Sequence, residues 1–190
     1  MTHAIRVHKA GPASVLKWQE TEIGKPQKGQ LLIRNTAVGL NFIDTYHRKG
    51  LYPIPMPFTP GVEGAGVIDA IGAGVTKLKI GDRVAYCSDP IGSYAEQRIF
   101  PAERAIKIPS GISDEQAASM MLKGLTAAML LKRIYTPAKG DKVLIHAAAG
   151  GGGLILCQWA KHLGATVIGT VSSRKKAALA KANGCDHPII

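Results

Sequence analysis

The stretch Lys142-Val-Leu-Ile-His-Ala-Ala-Ala-Gly-Gly-Gly-Gly153 constrains this chain most. A short apolar run meets four consecutive glycines, and an apolar pattern at three-to-four spacing follows. That order predicts a buried strand over Lys142–His146, a tight turn, and a helix over Gly153–Leu163 with Leu154, Cys157, Ala160 and Lys161 at helical spacing. Gly164 is placed to end the helix as its left-handed cap. The alternation then repeats. Ala165–Val171 reads as a second strand, Ser173–Ala182 as a second helix stopped by Gly184, and Asp186–Ile190 as the start of a third strand. Such βαβαβ alternation builds a parallel, doubly wound sheet.

Glycines between a strand and a helix let backbone N–H groups approach an anion at the helix N-terminus, where the macrodipole favours negative charge. The pattern here is A-x-x-G-x-x-G, at Ala147, Gly150 and Gly153. We therefore expect Ala149, Gly150, Gly151, Gly152 and Gly153 to cradle a phosphate; a glycine-rich turn without a ligand is the alternative. Sheets of this kind that bind NAD carry Asp or Glu about 20 residues past the first glycine, for the ribose 2′-hydroxyl. Between Gly150 and Cys185 there is no acidic residue. Ser172-Ser-Arg-Lys-Lys176 stands there instead, and Ser172, Arg174 and Lys176 suit a 2′-phosphate. Cations at the start of a helix oppose its dipole, so a solvated basic turn is the less comfortable reading. The expectation is NADPH rather than NADH.

Residues before Pro109 read as β structure. Ala4–Val7, Val15–Trp18, Leu31–Ala37, Gly66–Ile71, Arg83–Cys87 and Tyr94–Phe100 are candidate strands between Gly/Pro turns, which suggests a small barrel or sandwich. Pro53-Ile-Pro-Met-Pro57 lacks ladder donors and should be an extended surface loop. Ser113 with Gln116 forms a capping box, and Asp114 and Glu115 favour the first turn of a helix. That helix is expected to be interrupted at Lys123-Gly124, to resume over Leu125–Tyr135 and to stop at Thr136-Pro137.

Other classes are excluded by composition. The formal net charge is +11, but the longest basic run is Arg174-Lys175-Lys176, without the interleaved aromatics that stack on bases, so no nucleic-acid partner is expected. No apolar stretch approaches the ~20 residues that span a bilayer, and the first nine residues lack the apolar core of a signal peptide. Neither a membrane partner nor secretion is expected. Cys87, Cys157 and Cys185 are odd in number and widely spaced, which argues against a disulfide framework, for a reducing cytoplasmic compartment, and against zinc. No metal site is expected.

Asn41-Phe-Ile-Asp44-Thr-Tyr46-His-Arg-Lys-Gly-Leu-Tyr52 combines an amide, a carboxylate and two phenols with apolar rings. Such groups can orient a planar polar ligand, or form a plain polar loop or short helix. With Gly39-Leu-Asn-Phe-Ile-Asp-Thr-Tyr46, Gly61-Val-Glu-Gly-Ala-Gly66, Gly81-Asp-Arg-Val84, Leu122-Lys-Gly-Leu-Thr126 and His146–Gly153 in this order, the chain resembles the zinc-independent quinone oxidoreductases of the zeta-crystallin type, within the medium-chain dehydrogenase/reductase superfamily. The resemblance runs along the whole chain.

The resemblance implies an α/β protein with a β-rich N-terminal domain: a GroES-like barrel over residues 1–122, the substrate and catalytic domain, then a Rossmann domain over 123–190. NADPH would lie in the cleft between them. Asn41, Asp44, Tyr46 and Tyr52 match the nicotinamide and quinone pocket, Asn41, Lys123 and Thr126 the segments that contact the cofactor, Gly150–Gly153 the pyrophosphate turn, and Ser172 and Lys176 the 2′-phosphate site. Glu63 follows Val62, where zinc-dependent relatives carry His. Gly152 stands where relatives usually carry Val. Relatives are also longer, so the 190 residues are expected to be an N-terminal portion with an incomplete Rossmann sheet. A normal rate of quinone reduction is not expected of that portion alone. The implied reaction is electron transfer from NADPH to a quinone, as a hydride or in one-electron steps. Two alternatives stay open: a zinc-free enoyl or alkenal reductase, and a protein that binds NADPH or RNA without turnover. The family is expected to form homo-oligomers.

Overall fold

The computed structural model describes residues 1–190. The chain divides into two compact units, Met1–Leu122 and Lys123–Ile190.

The first unit is built on an antiparallel five-stranded sheet. Strands β1 (Thr2–Arg6) and β2 (Lys17–Thr21) form a separate hairpin, pairing Thr2 with Thr21 and Arg6 with Lys17. The main sheet contains β3 (Gln30–Val38), β4 (Glu63–Ile71), β5 (Arg83–Cys87), β6 (Gln97–Pro101) and β7 (Ala105–Lys107), in the order β6-β3-β4-β5-β7. Helix α1 (Phe42–Lys49) lies between β3 and β4 in sequence. Leu31, Ile33, Ile68, Val84, Tyr86 and Phe100 pack as one apolar cluster. The guanidinium of Arg98 lies over both the Tyr86 and Phe100 rings, 4.7 and 4.6 Å from their centroids, and donates to Ser93 Oγ and the Pro90 carbonyl. This pins the 88–93 loop to the sheet.

The expected strands are present with shifted ends. Val15–Trp18 is displaced by a 3₁₀ turn at Ala13–Val15, so β2 starts at Lys17. β4 begins three residues before Gly66, at Glu63. β7, after a second 3₁₀ turn at Ala102–Arg104, is a strand in addition to the expected ones. The Pro53–Pro57 stretch has no regular structure.

Helix α2 (Asp114–Ala128) starts at the expected cap. Ser113 N–H donates to Gln116 Oε1 at 2.9 Å, and Gln116 N–H donates to Ser113 Oγ at 3.2 Å. The expected break at Lys123-Gly124 does not occur. A glycine inside a helix costs only about 1 kcal/mol against alanine, and the flanking residues are good helix formers. The irregularity comes later, as a π-helical turn over Met129–Ile134.

The second unit holds a parallel sheet ordered β10-β9-β8, from β8 (Lys142–Ile145), β9 (Thr166–Thr170) and β10 (His187–Ile189). Helices α3 (Gly151–His162) and α4 (Arg174–Ala182) connect them. Gly164 and Gly184 have φ of 89° and 94°, the left-handed conformation expected where these helices stop. Cys157, Ala160, Val167, Ala180 and Cys185 are fully buried between helices and sheet.

Close approach in the first unit depends on Gly39. A Cβ there would overlap the Ala118 carbonyl oxygen and the Glu63 side chain. Gly39→Ala should therefore destabilise the protein by about 1–3 kcal/mol, the usual cost of overpacking, read as a lower urea midpoint at unchanged slope.

Candidate functional site

The first unit presents a polar and aromatic cluster around α1. Asn41 is the N-cap, with extended backbone at φ −129° and ψ 151°. Its N–H donates to Asp44 Oδ2 at 2.9 Å, and its side-chain amide donates to Glu63 Oε1 at 2.7 Å. The other carboxylate oxygen of Glu63 accepts the Leu122 N–H at 2.6 Å. The Tyr94 hydroxyl donates to Asp44 Oδ2 at 2.7 Å. Asn41, Asp44 and Glu63 are buried. Burial pushes the Asp44 carboxyl above its ordinary range, against the lowering effect of the Tyr94 and Asn41 hydrogen bonds.

The aromatic groups follow from how α1 ends. Gly50 adopts φ 76°, and Leu51 N–H donates back to the Tyr46 carbonyl at 3.0 Å. This reversal brings Tyr52 edge-on to Tyr46, with ring centroids 5.4 Å apart. Phe42, one turn before Tyr46, meets it edge-on at 5.2 Å. Phe42 is 73% and Tyr52 49% exposed, so α1 carries an open aromatic shelf over a buried polar base.

In the second unit, Ala147, Ala149, Gly150, Thr170, Val171, Ser172 and Lys176 line a cleft of about 380 Å³. Gly150 is the N-cap of α3 and brings no side-chain cap, and first-turn N–H groups have no intrahelical acceptors, so Gly151–Gly153 offer donors there. Ala147 holds φ at 51°, uncommon for a residue with a Cβ, and Gly150 N–H donates to its carbonyl at 2.8 Å. Thr170 supports the turn from β9. Its carbonyl accepts the Ala148 N–H at 3.0 Å and its hydroxyl accepts the Ala147 N–H at 3.3 Å.

The four glycines are not equivalent. A Cβ on Gly153 would overlap the Ala147 carbonyl oxygen, so this glycine permits the close helix–strand approach. A Cβ on Gly152 would meet nothing within 4 Å. A Cβ on Gly151 would fall 2.9 Å from Cδ and Cε of Lys123, which places the Lys123 stem against the start of α3. Thr126 follows three residues later on the same face of α2. Lys176 Nζ donates to Ser172 Oγ at 2.9 Å, and Ser173 Oγ caps α4 by accepting the Lys176 N–H at 3.3 Å.

The structure thus gathers Ala149, Gly150, Ser172 and Lys176 around one cleft, and Asn41, Asp44, Tyr46 and Tyr52 around another centre. Arg174 is exposed at the first position of α4 and is not among the residues lining the cleft. Tyr94 and Thr170 were not singled out from the sequence. Each acts across a long separation, 50 residues to Asp44 and 23 to Ala147, and no local pattern marks them. No group of three or more His, Cys, Asp or Glu side chains converges to hold a metal ion, and no helix is long and apolar enough to cross a membrane.

Comparison with known proteins agrees with both halves of this description. Residues 27–110 match the alcohol dehydrogenase GroES-like domain, and residues 151–189 match the zinc-binding dehydrogenase domain. A quinone oxidoreductase of Pseudomonas aeruginosa is 48% identical over 190 residues, covering 100% of this chain and 58% of that protein. Over its whole length the chain is thus similar to quinone oxidoreductases, and its two matched segments are dehydrogenase domains. A 2-haloacrylate reductase of Burkholderia is 47% identical, covering 100% of this chain and 59% of that protein. The Escherichia coli quinone oxidoreductase, solved with NADPH, superposes with a TM-score of 0.96 at 44% identity, over 99% of this chain and 58% of that one. The chain therefore spans somewhat under three-fifths of the length of these relatives.

The unequal glycines give a paired test. Gly153→Ala should lose about 1–3 kcal/mol of stability through overpacking. Gly152→Ala should be neutral or gain up to about 1 kcal/mol, as alanine replaces glycine in a helix. Thermal unfolding of the two variants beside the parent checks both signs.

Proposed function

We propose that the protein reduces quinones with NADPH. The observation that carries the cofactor half is the Lys176–Ser172 pair, which stands in the cleft beside Gly150 with no carboxylate between Gly150 and Cys185. Its relatives include an enzyme solved with NADPH. The cleft has the donors and the room for the adenosine side of that molecule. The first-turn N–H groups of α3 would hold the pyrophosphate, with the Lys123 ammonium near the same helix start. Ser172 and Lys176 would hold the 2′-phosphate. When bound, the cofactor supplies the reducing electrons.

The chain's remaining task is orientation and exclusion of water. Phe42, Tyr46 and Tyr52 offer ring edges and faces to a planar apolar acceptor. Asn41, held at both its backbone and its amide, gives that shelf a fixed polar end. A quinone is already electrophilic, so alignment is the main requirement and no strong acid or metal is demanded. Asp44 is buried beneath this surface and acts through the start of α1. A second reading follows from the 2-haloacrylate reductase relative. Haloacrylates and quinones are both electron-poor conjugated acceptors, and the neutral aromatic shelf favours the uncharged one. All three cysteines are free and buried, and burial pushes the Cys157 thiol up to about 11. Unpaired thiols of this kind suit the reducing cytoplasm, where we place the protein.

Calorimetric titration with NADPH and NADH tests the cofactor half. NADPH should bind at least about tenfold tighter, since each hydrogen bond to a charged group contributes roughly 1.5–3 kcal/mol. Lys176→Ala should remove most of that preference and leave NADH unchanged. Equal affinities in the parent chain would refute the assignment. Oxidation of NADPH with 1,4-benzoquinone and with 2-chloroacrylate separates the two acceptor readings.

A further inference from the structure

We propose that Tyr94 is a positioning residue for this site: its hydroxyl holds Asp44, and Asp44 holds Asn41 at the start of α1. The inference rests on the reading of α1 as the acceptor side of the pocket.

Tyr94 is fixed from three directions before its hydroxyl reaches α1. Its N–H donates to the Pro60 carbonyl at 3.0 Å, and its carbonyl accepts the Ile5 N–H at 2.8 Å. Its ring lies over Gly61, where a Cβ would fall 2.6 Å from ring Cδ1, and Gly61 has φ 101°. Only glycine leaves this slot open in that backbone conformation. The phenol thus arrives at Asp44 from a segment anchored to β1 and to the 60–61 turn rather than to α1.

Both donors converge on one oxygen. Tyr94 and the Asn41 N–H donate to Asp44 Oδ2, while Oδ1 is buried without a partner. His47 Nδ1, on the next turn of α1, is buried without a partner as well. A buried carboxylate with one orphaned oxygen depends heavily on the donors it has. The groups facing Asp44 are Tyr94 from the loop before β6, Asn41 and His47 from α1, and Glu63 from β4. Desolvation raises the pKa of Asp44, Tyr94, Asn41 and His47 lower it, and Glu63 raises it. The Tyr94 phenol is itself pushed well above its ordinary value by burial and by Asp44, so it remains a donor.

The linkage has a definite sign. The folded pKa of Asp44 lies above the unfolded one, so the folded state holds the proton more tightly. Stability from this group is greatest below the unfolded value and falls as pH rises through the folded one. Tyr94 limits that fall. It also keeps Asp44 ionised, and so a stronger acceptor for the Asn41 N–H, to lower pH than burial alone allows.

Tyr94→Phe keeps the ring over Gly61 and removes only the donor. In the 190-residue chain, two NMR observations need no turnover: titration of the Asp44 carboxyl carbon, and protection of the Asn41 amide proton from exchange. We expect the proton affinity of Asp44 to rise about tenfold and the protection of Asn41 to fall about tenfold, the scale of one hydrogen bond to a charged group. In Asp44→Asn, protection of the Asn41 amide should lose its acid titration. An unchanged Asp44 midpoint and unchanged Asn41 protection in Tyr94→Phe overturn the proposal. If that variant does not fold, an Asn41 amide in Asp44→Asn that still titrates through the parent midpoint overturns it. Reduction of 1,4-benzoquinone by NADPH is measured alongside, and its acid limb should move to higher pH in Tyr94→Phe. Quinone binding is read in the same spectra: amide signals of Asn41, Tyr46 and Tyr52 that do not move on titration with 1,4-benzoquinone, while the Asp44 and Asn41 titrations behave as expected, would count against the pocket reading and leave the tether supported.

Discussion

A carboxylate with no exposed surface sits at the centre of the first unit, and its oxygens must be satisfied from within. Glu63 does this with the Asn41 side chain on one oxygen and the Leu122 N–H on the other. The two bonds join the first residue of β4 to the cap of α1 and to α2. Either end released would take a hydrogen-bond donor from a buried oxygen, which favours keeping both ends in place. Gly39 belongs to the same constraint, because only a residue without a Cβ lets the chain pass between Glu63 and Ala118. The aromatic shelf inherits its position from this arrangement, since α1 begins where Glu63 holds Asn41.

The second unit shows how much of a site can be legible in a sequence. Strand, glycine turn, helix and basic second turn are all contiguous, so local pattern and local chemistry coincide. The structure puts Gly150, Ser172 and Lys176 around one cleft for that reason. The first unit was harder to read. Its strand identities follow from apolar runs, but their ends depend on pairing partners far away, and β4 and β2 both start elsewhere than the pattern suggests. The Lys123-Gly124 pair misleads because glycine marks a boundary only when tertiary packing does not carry the helix through it. Tyr94 left no trace in the local sequence. Its role appears only when the 60–62 turn, the 93–95 segment and α1 are brought together.

The two constellations differ in chemical character. The cleft of the second unit is rich in donors, from the helix start and a lysine. The shelf of the first is apolar and aromatic, made from phenyl and phenol edges over a buried polar base. A quinone oxidoreductase and a 2-haloacrylate reductase lie at similar identity to this chain.

Four successive glycines look like redundancy, but the turn makes unequal demands on them. Gly153 is fixed by sterics, because any side chain would displace the strand-to-helix crossing. Gly152 faces open space. The loop therefore contains one position that cannot drift and one that can, separated by a single peptide bond. Side chains of different size and polarity can be sampled at 152 without refolding the turn. Such substitutions would alter the surroundings of a bound phosphate while the donors beside it stay in register, so anion affinity at this turn can be tuned independently of the fold that creates it.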